Sequence, residues 1–249
     1  GSKIYCTVEQ GGILSNNKGI NRKGGGLSAP ALTNKDKEDI KTAAELKADY
    51  LAVSFPRSGR DMSIARDLMI QAGGKSLLMA KIERKEAIEE LDSILKASDA
   101  IMVARGDLSV EVGAEAVPAL QKRMIRAART NNKLVVTATQ MMESMVNSRV
   151  PTRAEVSDVA NAVLDGTDAV MLSSESATGQ YPVETVEAMA RVCLESEKEY
   201  QGNLELRRLR DGIPGTIEEA VARATMFTTD SLKISAIAAL TQSGFTAML

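Results

Sequence analysis

Five short apolar runs, each ending in polar residues, recur along the chain from about residue 50 onward. Each run precedes a longer segment whose apolar residues return every three or four positions. The runs occupy residues 50–55, 77–83, 101–107, 134–139 and 169–173. Near-continuous apolar strands are typical of a parallel sheet covered on both faces, and the longer period is typical of amphipathic helices. The pattern therefore predicts repeated βα units in a parallel α/β barrel or an open parallel sheet.

Capping residues and glycines indicate where the helices between these strands begin and end. The predicted helices are residues 34–48, 59–72, 115–130, 152–165 and 182–200. Thr33, followed by Asp36, and Thr152 are candidate N-caps because their hydroxyls can accept from the first free N–H groups. Gly166 is a candidate stop, and Pro182 suits the first position of a helix.

Both ends of the chain depart from this alternation of predicted strands and helices. Residues 4–8 have the composition of a strand and precede a polar, glycine-rich stretch that continues to residue 26. Residues 201–215 have the composition of a linker, and Thr216 with Glu219 predicts a capping box that opens a helix. Residues 234–240 then predict a further strand.

Composition narrows the possible chemistry. The 249 residues contain no histidine, which excludes Ser-His-Asp and Cys-His catalysis and histidine-ligated zinc. With 31 basic and 33 acidic residues, the net charge of −2 offers no attraction to nucleic acid or to a membrane surface, and no apolar run is long enough to span a bilayer. Cys6 and Cys193 are too few for a disulfide framework, so a reducing, cytoplasmic setting is expected.

Polar side chains collect where the predicted strands end. They are Ser54, Lys81, Glu83, Arg105, Asp107, Thr139, Gln140, Ser173, Ser174 and Glu175. In a parallel barrel these ends converge on the face that holds active sites. Lys81 and Glu83 are two positions apart and point to the same side of one strand. Glu83 and Asp107 on neighbouring strands could share a hard cation, which with a lysine beside it suits phosphoryl transfer.

From residue types and spacing, a purely structural role explains several of these residues as well as a catalytic role does. Glu83 and Asp107 could pair with Lys81 and Arg105 in an ion network without any cation. Thr139 could be an ordinary β-branched strand residue. The methionines at 141, 142 and 145 are expected to pack in the core, and the glycines at 24–26, which lack a following Lys-Ser/Thr, to form a turn.

Several of these segments together resemble the pyruvate kinase family, in its bacterial form. The matching segments are residues 14–19 (LSNNKG), 79–83 (MAKIE), 103–108 (VARGDL), 137–145 (TATQMMESM), 151–156 (PTRAEV) and 165–173 (DGTDAVMLS). The resemblance implies transfer of a phosphoryl group from phosphoenolpyruvate to ADP, with pyruvate and ATP as products. It also implies a (β/α)8 barrel of which this chain supplies strands four to eight.

The resemblance also implies roles for individual residues. Lys81 corresponds to the lysine that stabilises the transferred phosphoryl group and the developing enolate, and Glu83 and Asp107 to the ligands of Mg²⁺ or Mn²⁺. The backbone of Gly106 and Asp107 corresponds to the cradle of the substrate carboxylate. Thr139 corresponds to the hydroxyl near the carbon that is protonated. Two further residues, Arg105 and Ser173, occupy substrate-pocket positions.

The expected domains are a lid remnant and return linker (1–26), a partial barrel (27–202) and the start of a C-terminal regulatory α/β domain (203–249). The family also uses K⁺, whose ligands are not expected in this chain, and commonly forms tetramers. We expect little turnover from this chain alone. A metal-dependent aldolase or lyase acting on pyruvate or phosphoenolpyruvate, and a non-catalytic folding or assembly fragment, remain alternatives.

Overall fold

A five-stranded, fully parallel sheet organises the chain, and its strands follow one another in chain order. The strands are β1 (Tyr50–Val53), β2 (Leu77–Ile82), β3 (Ala100–Ala104), β4 (Leu134–Ala138) and β5 (Ala169–Met171). The structure is a computed structural model and describes residues 5–9, 11–13, 24, 30–208, 216–232, 234–241 and 244. The five strands predicted in the βα repeats are all present, which confirms the α/β class and the parallel sheet.

Helices alternate with the strands, as the pattern predicts. They are α1 (Asn34–Glu45), α2 (Gly59–Gln71), α3 (Lys85–Glu89), α4 (Leu91–Ala97), α5 (Arg105–Val112), α6 (Val117–Thr130), α7 (Arg153–Asp165), α8 (Ser174–Ala177), α9 (Pro182–Arg208) and α10 (Ile217–Leu232). Helix α1 precedes β1, α2 to α7 lie between strands, and α8 to α10 follow β5. Short 3₁₀ turns occupy Ala114–Ala116 and Glu143–Val146. All five helices predicted in the repeats are present. Four begin and end within three residues of their expected bounds, α9 continues eight residues further, and α10 begins where the Thr216 pattern indicates.

The predicted helix ends have the expected chemistry. Thr33 caps α1 in a capping box with Asp36, and Thr152 caps α7 in a capping box with Glu155. Gly166 ends α7 with a φ of 94°, in the left-handed region that glycine enters without steric cost. Local sequence therefore sets these boundaries.

Four predictions about secondary structure are wrong. Residues 234–240 form neither strand nor helix and are exposed, and the same holds for residues 5–8 of the other predicted terminal strand. A strand needs a hydrogen-bonded neighbour, and β propensity alone does not supply one. Residues 201–208, expected in a linker, continue α9. The run 101–107 leaves the sheet at Ala104, and its last three residues begin α5.

The two faces of the sheet have different surroundings. Leu78, Ala80 and Ile82 of β2 face the main core, which the sheet shares with α2, α4 and α6. Met79 lies on the opposite face with small and medium side chains of β3 and β4. Because strand side chains alternate, Lys81 shares the face of Met79, away from the surrounding helices.

A second apolar cluster lies beyond the ends of β4 and β5. Met141, Met142 and Met145 are fully buried there against α7 and α9. The expectation that these methionines pack in the core is confirmed. None of the helices in the described part of the chain is long and apolar enough to cross a membrane.

Candidate active site

Lys81, near the end of β2, and Glu83, which directly follows the strand, are in direct contact. The Nζ atom of Lys81 lies 2.6 Å from Oε1 of Glu83 and donates a hydrogen bond of 3.0 Å to Oγ of Ser54, at the end of β1. The ammonium is therefore held by groups from two neighbouring strands. This confirms that Lys81 and Glu83 point to the same side.

Glu83 is a buried carboxylate, with 1% of its surface exposed. Burial raises the pKa of its carboxyl, and the charge of Asp107 adds to this rise, whereas Lys81 and the N–H of Phe55 oppose it. That N–H donates to Oε2 of Glu83 at 2.7 Å. Glu83 and Asp107 therefore repel each other, which a shared divalent cation would relieve.

Gly106 and Asp107 lie in the first turn of α5 instead of on β3, where the sequence placed them. The N–H of Gly106, expected to face a substrate anion, donates to Oγ1 of Thr139 at 2.7 Å. That hydroxyl in turn donates to the carbonyl of Ala138 at 2.6 Å. An anion that binds at Gly106 would therefore share or displace the contact with Thr139.

The turn that follows β4 is strained. Thr139 and Gln140 have φ values of 68° and 54°, in the left-handed region. For residues other than glycine this conformation is uncommon, and for a β-branched residue it is a clear outlier. Each such residue costs about 1–3 kcal/mol and persists only where its surroundings hold it. Phe55, at the end of β1, has a similar φ of 54°.

The two remaining predicted residues make main-chain contacts. Arg105 is buried, pairs with Asp158 at 2.7 Å and donates to the carbonyl of Thr139 at 2.7 Å. Ser173 precedes α8, and its N–H donates to Oε2 of the buried Glu175 at 2.8 Å. Within the described residues, no hydrogen bond or ion pair joins either of them to Lys81 or Glu83.

Two residues that contribute to this arrangement were not identified from the sequence. Phe55 supplies a main-chain donor to Glu83, and nothing in the apolar run 50–55 indicates its left-handed backbone. Asp158 lies in the middle of α7, where a charged residue normally faces solvent. Only the three-dimensional structure brings it to Arg105.

A cleft of about 550 Å³ lies beside this group, between α1 and β1. Ser54 and Phe55 line it after β1, together with Arg84 from the loop after β2 and Glu111 from α5. The guanidinium of Arg84 sits 5.4 Å from the centre of the Phe55 ring. The cleft is large enough for a small ligand and opens next to the hydroxyl that holds Lys81.

The donor set suits a magnesium-like cation that also binds a ligand. Mg²⁺ is usually held by one or two carboxylates and completes its shell with water and substrate phosphate oxygens. Glu83 and Asp107, whose charges influence each other, could provide two such carboxylates. The described residues contain no group of three or more acidic or cysteine side chains that could enclose a metal ion. An all-protein cage is therefore not present in this part of the chain.

Comparison with known proteins gives one consistent family. Residues 1–186 match the family described as pyruvate kinase, barrel domain. Pyruvate kinase II of Salmonella typhimurium is 56% identical over 253 residues and the Haemophilus influenzae pyruvate kinase 55%; both alignments cover 100% of this chain and 52% and 53% of the relatives. Pyruvate kinase 2 of Synechocystis is 47% identical, over 98% of this chain and 41% of its own length. The chain spans about half the length of these curated relatives.

Proposed function

The chain belongs to the pyruvate kinase family, and on this basis we propose that it carries the part of the active site that holds the divalent cation and the substrate. The proposed reaction moves the phosphoryl group of phosphoenolpyruvate to ADP. The bond between phosphorus and the enol oxygen breaks, and a bond to a terminal phosphate oxygen of ADP forms. The enolate left behind takes a proton at its methylene carbon and becomes pyruvate.

Glu83 and Asp107 would hold Mg²⁺ or Mn²⁺. The bound ion would neutralise substrate oxygens and align them for transfer. The ion pair between Glu83 and Lys81, with an atom separation of 2.6 Å, is the observation that carries the proposal. It fixes a cationic side chain beside a carboxylate ligand, where charge develops on the phosphoryl and enolate oxygens.

Lys81 would stabilise the charge on these oxygens, since Ser54 and Glu83 already hold its ammonium in place. Thr139 would lie near the carbon that is protonated. The backbone of Gly106 and Asp107 would receive the substrate carboxylate, with the contact between Gly106 and Thr139 opening or being shared on binding.

The organisation of the longer protein follows as part of the same proposal. Residues 27–202 would form barrel strands four to eight with their helices. Residues 1–26 would belong to a lid and its return linker and residues 203–249 to a C-terminal domain; both segments lie partly outside the described residues. Arg105 and Ser173 would lie around the substrate pocket, and the protein would form a homo-oligomer in the cytoplasm.

Mn²⁺ titration followed by electron paramagnetic resonance tests the metal site without requiring turnover. We expect phosphoenolpyruvate to tighten Mn²⁺ binding to the unmodified chain. Glu83→Gln and Asp107→Asn should each weaken binding roughly tenfold or more, because each removes a charged ligand. Glu184→Gln, which removes a carboxylate paired with Arg149 at the surface, is the matched control and should bind like the unmodified chain.

Unchanged Mn²⁺ binding in both site variants would refute the metal site. Formation of ATP from phosphoenolpyruvate and ADP, measured in a longer protein that contains this sequence, tests the reaction itself. Cleavage or condensation of pyruvate without ATP formation would instead indicate an aldolase or lyase.

A further inference from the structure

The strained turn after β4 is held by a side chain from a different part of the chain. Arg105, the first residue of α5, directs Nη2 to the carbonyl oxygens of Thr139 at 2.7 Å and Gln140 at 3.1 Å. Its Nε also reaches the Thr139 carbonyl, at 3.2 Å. These are the two residues with left-handed backbone. One guanidinium thus binds the carbonyls of both strained residues.

The guanidinium is itself fixed from the opposite side. Nη1 of Arg105 donates to Oδ1 of Asp158 at 2.8 Å and lies 2.7 Å from Oδ2, and Oε1 of Gln121 lies 3.4 Å away. These partners come from α7 and α6. A planar guanidinium with five N–H groups in fixed directions can bind a carboxylate and two carbonyls at once, which a lysine ammonium on its flexible chain cannot reproduce.

The position of the Thr139 hydroxyl depends on this arrangement. Its Oγ1 accepts a hydrogen bond from the N–H of Gly106 and donates one to the carbonyl of Ala138. The hydroxyl is therefore held both as an acceptor and as a donor. If φ of Thr139 returned to the common right-handed region, its carbonyl would leave Arg105 and its hydroxyl would leave Gly106.

We propose that Arg105, braced by Asp158, is a positioning residue that holds Thr139 and Gln140 in the left-handed conformation and thereby sets the Thr139 hydroxyl against Gly106. Arg105 would then act through the protein and would not touch the substrate. The inference rests on the proposed function only for the catalytic role of the Thr139 hydroxyl. The contacts of Arg105 with Thr139 and Gln140, and of Thr139 with Gly106, do not depend on it.

The amide of Gly106 reports the position of the Thr139 hydroxyl, because the two are hydrogen-bonded. Its proton shift and exchange rate can be followed by nuclear magnetic resonance in the ¹⁵N-labelled chain. Thr139→Val removes the acceptor and gives the value for a broken bond. Arg105→Lys keeps the positive charge but removes the planar guanidinium that binds several acceptors at once. Arg149→Lys makes the same chemical change in a surface ion pair and is the control.

In Arg105→Lys we expect the Gly106 amide shift to move most of the way to its value in Thr139→Val, and its exchange to accelerate roughly tenfold. Arg149→Lys should change neither. A folded Arg105→Lys chain whose Gly106 amide keeps its original shift and exchange rate would overturn the proposal.

If Arg105→Lys does not fold, Asp158→Asn decides. It keeps the guanidinium but removes the charge that braces it, so the Gly106 shift should move in the same direction by a smaller amount, and an unchanged shift would overturn the proposal. No metal ion or substrate enters this measurement, so its outcome is independent of the Mn²⁺ titration that tests the proposed function.

Discussion

Glu155 joins α7 to the turn that precedes it, and its removal should measurably destabilise the chain. One carboxylate oxygen accepts from the N–H of Ser144 at 2.7 Å. The other accepts from the Ser144 hydroxyl at 2.6 Å and from the N–H and hydroxyl of Thr152 at 2.8 and 2.9 Å. In Glu155→Gln an NH2 group replaces one of the two acceptor oxygens. It cannot accept hydrogen bonds from Ser144 or Thr152, so part of these hydrogen bonds would be lost.

The size of the effect can be bounded by comparison with α1. Asp36 forms the same capping box with Thr33 but, within the part of the chain that the structure describes, accepts from no residue of a preceding turn as Glu155 does from Ser144. Loss of an N-terminal cap costs about 0.5–2 kcal/mol, and hydrogen bonds to charged groups contribute about 1.5–3 kcal/mol each but do not add fully. Allowing for the partial exposure of Glu155, we expect Glu155→Gln to cost about 2–3 kcal/mol and Asp36→Asn about 1 kcal/mol.

Thermal unfolding monitored by circular dichroism measures both variants. For a chain of this size, 1 kcal/mol corresponds to about 2–4 °C in Tm, so Glu155→Gln should lower Tm by about 4–12 °C. A decrease no larger than that of Asp36→Asn would refute the argument that the contacts with Ser144 contribute to stability.

Acid provides a second test of the same side chain. Burial opposes the charged form of Glu155, but the hydrogen bonds from Ser144 and Thr152 outweigh this effect. They lower the pKa of the Glu155 carboxyl in the folded protein. A depressed pKa stabilises the fold above the unfolded value, roughly 4.3, and this contribution disappears as the pH falls through the folded pKa. The difference in stability between the unmodified chain and Glu155→Gln should therefore shrink below about pH 4.3; a constant difference down to pH 3 would contradict the role of the charge.

Packing is tested by four further substitutions, one of them a surface control, each by urea denaturation. Gly59→Ala should cost about 1–3 kcal/mol, because the new Cβ would lie 2.3 Å from the carbonyl oxygen of Ser93; a neutral result would mean that α2 and α4 separate easily. Gly106→Ala places its Cβ no closer than 3.5 Å to any neighbour and should change stability by less than about 1 kcal/mol. Met142→Ala removes a fully buried side chain and should cost about 2–5 kcal/mol, whereas the exposed Val183→Ala should stay within about 0.5 kcal/mol.

The strands and long helices could be predicted because their signals are local. The Thr152 capping box and Gly166 fix both ends of α7 from within a few residues. The short helices α3, α4 and α8 were not predicted, since their five, seven and four residues are too few for a periodic pattern to emerge. The predicted strand at residues 234–240 failed for the opposite reason, because strand formation depends on a partner that local sequence does not reveal.

The candidate site could be predicted only in part. Strand ends and spacing correctly brought Lys81 and Glu83 together, because two-residue alternation is a geometric property of any strand. The left-handed backbone of Thr139 and the burial of Arg105 against Asp158 arise from contacts between segments more than 30 residues apart. No pattern along the chain encodes such contacts, and only the three-dimensional structure shows them.

The chain-order arrangement of the strands has a consequence for how the protein assembles. Each of the four pairings in the sheet joins strands that are consecutive along the chain, so each closes only one intervening segment. Such contacts cost little chain entropy, and they can form as soon as the next helix and strand have left the ribosome. Each finished unit therefore leaves an unpaired strand edge at which the next strand of the sheet can add.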